Sequence, residues 1–217
     1  MDIELARANM IESQVRTWEV LDQRVLDLLS EVRREDFVPA VHRGLAFADM
    51  EIPIGHGEAM LCPKLEARLQ QSLALRPTDR VLEVGTGSGY QTALLARLAA
   101  HIHSVDIVPE FCEAARRRLA AAGITNVTIE TGNAAQGWPS HAPYDAILLT
   151  GSVEEVPEEF LAQLAPGGRL LAVVGRPPVM TARLVTCSGP GIHQAEGLFE
   201  TSIAPLRRMR EPERFVF

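Results

Sequence analysis

Residues 81 to 96 read VLEVGTGSGYQTALLA, with Gly85, Gly87 and Gly89 spaced between two apolar runs. Glycine costs backbone entropy and is kept where the chain turns tightly or lets something come close. An apolar run, a glycine turn and a helical pattern together mark the first βα turn of an open parallel sheet. Ligands bind there, beyond the carboxyl ends of the strands. Asp106, in HSVDIV, falls where an acidic residue would hold the hydroxyls of a ribose. The dinucleotide fingerprint G-x-G-x-x-G fails, because its third glycine falls on Tyr90. Glu83, two positions before Gly85, would repel a pyrophosphate. Both features argue against a dinucleotide.

The elements that position these residues follow from periodicity. RVLEV reads as a short buried strand, GYQTALLARLAA as a helix, HIHSVDIV as a strand, and PEFCEAARRRLAAAG as a helix opened by Pro109 and closed by Gly123. NVTIETG and YDAILLT read as strands, EEVPEEFLAQLAPGG as a helix stopped at Pro166 and Gly167, and RLLAVVG as a strand. ARLVTC and GLFETSIAPL are weaker strands that could add an antiparallel edge. The alternation predicts an α/β fold: a mostly parallel, twisted, Rossmann-like sheet with helices on both faces.

The first part of the chain has a different texture. VLDQRVLDLLSEVR carries Val20, Leu21, Val25, Leu28, Leu29 and Val32 at helical spacing, with Asp22 as its cap and an end at Pro39. AFADMEIPIGHGEAMLCP reads as irregular, and KLEARLQQSLAL as a helix with Pro63 in its first turn. The expected organisation is an N-terminal helical extension with a loop over 1–62 and a ligand-binding core over 63–217, forming one compact unit.

Composition narrows the function classes. The net charge of −7, from 21 basic and 28 acidic residues, argues against a nucleic-acid partner. The tail RRMREPER reads as a solvated segment. The N-terminus lacks the apolar core of a secretory signal, and no apolar run nears the length of a bilayer span. The expectation is a cytoplasmic protein with no membrane partner. Cys62, Cys112 and Cys187 are odd in number and show no CxxC spacing, so no zinc site or disulfide framework is expected. His101 and His103 share one strand face, but no third ligand stands near them in sequence, so no metal is expected.

REDFVP, EIPIGHG, VLEVGTGSGYQTALLA, NVTIETGN, APYDAILLT and QLAPGG occur in an order that resembles the protein-L-isoaspartate O-methyltransferases. E-x-G-x-G-x-G is similar to the first motif of class I S-adenosylmethionine-dependent methyltransferases. The resemblance implies S-adenosyl-L-methionine as cofactor and a protein or peptide carboxylate as acceptor, methylated at isoaspartyl sites of damaged proteins. Carried over by position, Glu83, Gly85, Thr86, Gly87, Ser88 and Gly89 line the cofactor. Asp106 and Ile107 take its ribose end, and Asn133 and Ala134 its adenine end. Asn133 stands where the family commonly has an aspartate, and it also reads as a turn residue.

The family's substrate loop commonly reads G-x-G-Q-T-I-S-x-P. This chain has Gly55, His56, Gly57, Glu58, Ala59, Met60, Leu61, Cys62 and Pro63. The glycines and the proline are kept, but Leu61 replaces the family's serine and Glu58 its glutamine. The active-site residues are expected to be His56, Glu58 and the position of Leu61, on a loop lying over the methyl-bearing end of the cofactor. These replacements leave two other readings open: a methyltransferase of this fold with a different acceptor, and a cofactor-binding protein without catalysis.

Overall fold

The computed structural model describes residues 2–189 and 191–208. Most of the RRMREPER segment lies outside these residues. The chain opens with helix α1 (Ile3–Met10), which runs on through a π-helical turn, Ile11–Val15. Helix α2 (Gln23–Glu31) is capped by Asp22, whose Oδ1 accepts from the Arg24 amide at 2.9 Å. The helix stops at Val32, well before Pro39. Arg33 and Val32 are extended, and a 3-10 turn, Arg34–Asp36, follows that buries Arg34.

The stretch read as irregular contains a hairpin of strands β1 (Ile52–Gly55) and β2 (Glu58–Met60). Its two central residues, His56 and Gly57, both have positive φ, at 54° and 78°. A two-residue turn of that kind matches the twist of paired strands. Helix α3 (Pro63–Leu73) follows, with Pro63 at its start.

The main sheet has seven strands. β3 (Arg80–Val84), β4 (His101–Asp106), β5 (Val127–Thr131), β6 (Tyr144–Leu149) and β7 (Leu164–Arg176) form its parallel part. β8 (Val179–Gly189) and β9 (Ile192–Glu200) continue it as an antiparallel meander. The order is β5-β4-β3-β6-β7-β8-β9. It reverses beside β3, so a crevice opens at the carboxyl ends of β3 and β6. Helices α4 (Tyr90–Leu98) and α5 (Pro109–Ala121) connect the first three strands. The helix expected over EEVPEEFLAQLAPGG is a single turn, α6 (Glu158–Leu161). Leu164 already pairs with Tyr144 as β7 begins, so the chain has left the helix before Pro166.

Apolar side chains alternate through the sheet. Val81, Ile102, Ala146, Leu148 and Leu171 join a core with α2, α3, α4 and α5. Leu82, Ile147, Leu149 and Leu170 join a second one with Phe160 of α6. Burial on both faces explains the near-continuous apolar runs of these strands. The N-terminal helices and the hairpin share the first core through Met10, Leu29, Ile52 and Met60. No helix among the described residues is long and apolar enough to cross a membrane.

One buried cation joins the N-terminal part to α3 and α4. Arg34 is 1% exposed. Its Nε donates to the Ala46 carbonyl at 2.9 Å and its Nη2 to the Leu61 carbonyl at 2.7 Å, while Nη1 pairs with the Glu66 carboxylate. Its guanidinium lies 4.9 Å from the centre of the Tyr90 ring. Removing one partner of a buried pair leaves the other charge uncompensated, at about 3–5 kcal/mol. Arg34→Ala should lower unfolding stability by that amount in a denaturant titration. Arg34→Lys should recover little, because an ammonium cannot reach three acceptors in a planar fork. Full recovery by lysine would show that charge alone matters.

Candidate functional site

The glycine turn follows β3 directly, and its carboxyl-end crevice is held open by specific contacts. Thr150, just past β6, donates its hydroxyl to the Val84 and Gly85 carbonyls at 2.9 and 2.8 Å. A Cβ on Gly85 would sit 2.1 Å from that hydroxyl oxygen, so only glycine fits beside it. Asp106, at the end of β4, accepts from the Gly87 amide at 2.8 Å through Oδ2 and from the Val108 amide at 2.9 Å through Oδ1. A carboxylate has about four acceptor sites, so two remain for a ligand.

The cleft above this turn encloses about 1070 Å³ including its open mouth. Its floor is Val84 to Ser88 with Asp106 and Ile107. One wall is Gly132 to Ala135, where Asn133 Oδ1 accepts from the Ala135 amide at 3.0 Å. The roof has two parts: the hairpin, through Ile54 and Glu58 to Leu61, and a C-terminal strap, Ala204 to Arg207. The strap is pinned at Ser152, which exchanges backbone bonds of 2.9 Å with Ala204 and Leu206. Across the mouth, the Arg207 guanidinium pairs with the Glu58 carboxylate and donates to the His56 carbonyl. Glu58 therefore does not present an unpaired charge to the cleft.

Most of the residues expected in the site line this cleft: Gly85, Thr86, Gly87, Ser88, Asp106, Ile107, Asn133 and Ala134, with Glu58 and Leu61. Three are placed elsewhere. Glu83 is completely buried beneath the turn and does not line the cleft. Its Oε2 accepts from the Thr92 hydroxyl at 2.5 Å and the Ser104 hydroxyl at 2.6 Å, and Ser104 in turn bonds Thr86 at 2.6 Å. Burial pushes its carboxyl up to about 8, against the pull of those two hydroxyls. Gly89 does not face the cleft either. A Cβ there would lie 2.9 Å from the Ala115 Cβ, so this glycine lets α4 pack closely on α5. His56 sits at the hairpin tip, outside the cleft, with its ring against Phe111 at 5.2 Å.

Other residues of the cleft carried no motif in the sequence. Gln91, on the first turn of α4, is 6% exposed and lines the cleft with both amide atoms buried and unpartnered. Glu66 reaches it from below, pushed up to about 7 by burial and pulled back by Arg34. Thr150 meets the glycine turn only through the sheet order, and Arg207 reaches the cleft only through the return of the C-terminal strap. The apolar Phe111 and Leu206 complete the lining. Tyr90 is fully buried and packs on Phe37 and Arg34, and does not line the cleft. Cys62 is half-buried, and burial raises its thiol pKa.

Comparison with known proteins places this architecture. Residues 6–203 match the family model for protein-L-isoaspartate(D-aspartate) O-methyltransferase. A protein-L-isoaspartate O-methyltransferase of Methylorubrum populi is 42% identical over 94% of this chain and 96% of its own. One from Gloeobacter violaceus is 37% identical over 94% of this chain and 100% of its own. Among solved structures, a protein-L-isoaspartate O-methyltransferase superimposes with a TM-score of 0.79 at 26% identity, over 92% of this chain and 65% of that one. A Plasmodium falciparum beta-aspartate methyltransferase in complex with S-adenosyl-L-homocysteine shares the fold with the same score at 19% identity, over 96% and 99% of the two chains.

The burial of Glu83 has a pH signature. Its carboxyl titrates near 8 in the folded protein and near about 4.3 in an unfolded chain. Between those values the folded state holds a proton that the unfolded state releases, so stability falls as pH rises through that window. Glu83→Gln keeps the shape and removes the titration. The melting temperature of this variant should drop less than the parent's between about pH 5 and about pH 8. Parallel curves for the two proteins would contradict a neutral Glu83.

Proposed function

The chain belongs to the protein-L-isoaspartate(D-aspartate) O-methyltransferase family, and from that premise we propose how the cleft carries the reaction. The activity is transfer of a methyl group from S-adenosyl-L-methionine to the carboxylate of isoaspartyl residues in proteins. The cleft suits this cofactor. The orphaned amide of Gln91 and the spare acceptor sites of Asp106 are polar groups in want of partners at the crevice. Asp106 would hold the ribose, Gly85 to Ser88 the amino-acid part, and Asn133 with Ala134 the adenine. The cofactor supplies an electrophilic methyl on a sulfonium.

The rest falls to the chain. A carboxylate with a reference pKa of about 4 is already ionised near neutrality, so the acceptor needs no general base. The protein has to orient it and exclude water. We assign orientation to Arg207, because it is the one cation among the described residues lining a cleft that also carries Glu51, Glu58, Glu66 and Asp106. Its pairing with Glu58 holds the guanidinium over the mouth. Leu61 stands in the wall where the family commonly has a hydroxyl, so this chain orients its acceptor with one hydrogen bond fewer. The observation that carries this reading is the meeting of hairpin, strap and glycine turn in a single cleft.

The direct test is transfer of labelled methyl from S-adenosyl-L-methionine to an isoaspartyl peptide, with the aspartyl peptide as control. Labelling of neither peptide by a protein that binds S-adenosylhomocysteine would remove the proposed acceptor. Asp106→Ala should weaken S-adenosylhomocysteine binding by about 1–3 kcal/mol in calorimetry. Arg207→Gln should raise KM for the isoaspartyl peptide by roughly tenfold to a hundredfold, with cofactor affinity nearly unchanged. Leu61→Ser should raise kcat/KM, because it returns a donor to the acceptor's end of the cleft. A variant no faster than the parent would show that this wall does not touch the acceptor.

A further inference from the structure

Outside the cleft, the sheet face beneath residues 138–142 gathers three imidazoles and a carboxylate. His101 and His103 lie on one face of β4, since alternate residues of a strand share a side. On β5, Thr128 pairs with His103 and Glu130 with Val105, which brings Glu130 alongside. The 3-10 turn Pro139–His141 then lays His141 over the group. The His141 ring stacks on that of His103, with centroids 4.1 Å apart and planes within 15°. His141 Nε2 is 2.9 Å from Glu130 Oε2, and Trp138 Nε1 donates to the same oxygen at 2.9 Å. Ligand atoms of His103, Glu130 and His141 all lie within 4.8 Å of one another. His103 is 6% exposed, and its Nδ1 has no hydrogen-bond partner. Sequence spacing around His101 and His103 gave no third ligand. Pairing of β4 with β5 and the turn at residue 141 supply two.

We infer that His103, Glu130 and His141 form a binding site for a divalent transition cation of the zinc class. Two imidazole nitrogens and one carboxylate oxygen are the donor set that zinc, cobalt and nickel accept, whereas magnesium and calcium require oxygen. Bonds of about 2.1 Å in a tetrahedron separate ligand atoms by roughly 3.4 Å. The longest separations therefore have to contract by an ångström or so, while the 2.9 Å edge between His141 Nε2 and Glu130 Oε2 opens slightly. His141 can do this by rotating off its stack, since its side chain is 31% exposed on a short turn. The unpartnered Nδ1 of His103 is buried and free of any protein hydrogen bond that a metal would have to displace. Trp138 orients the carboxylate, as outer partners of metal ligands do. Arg80 adjoins the cluster and donates to the His141 carbonyl at 3.1 Å, and the charge of Glu130 offsets it. Three protein ligands leave a fourth position for water. A cation here would fasten the segment that carries Asn133 and Ala134 onto β4 and β5, without entering the cleft.

The test uses the full chain, stripped of metal with a chelator and titrated with Co²⁺ and Ni²⁺, then challenged with Zn²⁺. The expected result is one equivalent bound, cobalt d–d absorption without a thiolate charge-transfer band, displacement by Zn²⁺, and quenching of tryptophan emission. Trp138→Phe should bind the ion but lose most of the quenching, because Trp18 packs elsewhere, against Lys64, Arg68 and Phe199. His141→Ala and Glu130→Gln should each weaken binding by tenfold or more. Both residues are partly exposed, so the variants should still fold. Absence of a stoichiometric complex would overturn the proposal. So would binding indifferent to His141→Ala, or a thiolate band, which would place the ion at a cysteine.

Discussion

The guanidinium of Arg34 is the constraint around which the roof of the cleft is arranged. It has no acceptor of its own and cannot lose its proton, so every donor must end on something. Its partners are the Ala46 and Leu61 carbonyls, the Glu66 carboxylate and the face of Tyr90. These belong to the N-terminal segment, the end of the hairpin, α3 and α4. Satisfying one buried cation thereby fixes the hairpin relative to the helix that follows the glycine turn. A buried ion pair is weak evidence for net stability, because desolvation offsets much of its attraction. Its stronger consequence here is positional. Arg7 and Glu35, paired at 2.7 Å and also buried, hold α1 to the same 3-10 turn.

Floor and roof are built on different principles. The floor belongs to the sheet. Glu83, Ser104, Thr86 and Thr92 tie β3, β4, the glycine turn and α4 into one hydrogen-bonded group, and Thr150 adds β6. Low-dielectric surroundings make such a group costly to disrupt, so it holds the turn in shape. The roof is made of a two-stranded hairpin and a strap, joined across the mouth by Glu58 and Arg207, both partly exposed. Exposed pairs are worth little in energy.

The sequence showed most of the floor and little of the roof. Strands β3 to β6 and helices α3, α4 and α5 announce themselves because burial on one or two faces imposes a period. The hairpin did not, since its turn uses His56 at positive φ and its strands are only four and three residues long. The helix read before Pro166 shrank to α6 because pairing with Tyr144 captured Leu164. In the site, two expected residues are placed by packing and lie off the cleft. Glu83 alternates with Leu82 and Val84, which put it on the side of Thr92 and Ser104 and away from the cleft. Gly89 is small for the sake of Ala115. Thr150, Gln91 and Arg207 carry no local signal, because only the strand order and the return of the C-terminal strap bring them to the turn.

The departure from the family loop has a consistent physical reading. A glutamate in place of the glutamine, facing a carboxylate acceptor, would put two like charges in one poorly solvated place. Arg207 removes that conflict by pairing with Glu58, and it remains a cation at the mouth. The lost hydroxyl at Leu61 is a different matter, for nothing among the described residues of that wall replaces it as a neutral donor. Methyl transfer to an ionised carboxylate depends on alignment and dryness, not on proton removal. An apolar Leu61 beside Met60 and Ile54 favours dryness at some expense in alignment. On the proposed assignment, the burden of alignment moves from a hydroxyl on the hairpin to a guanidinium on the strap. Glu58 is then retained as the group that aims Arg207, because a long cationic side chain without a fixed partner would spread over many rotamers and orient nothing.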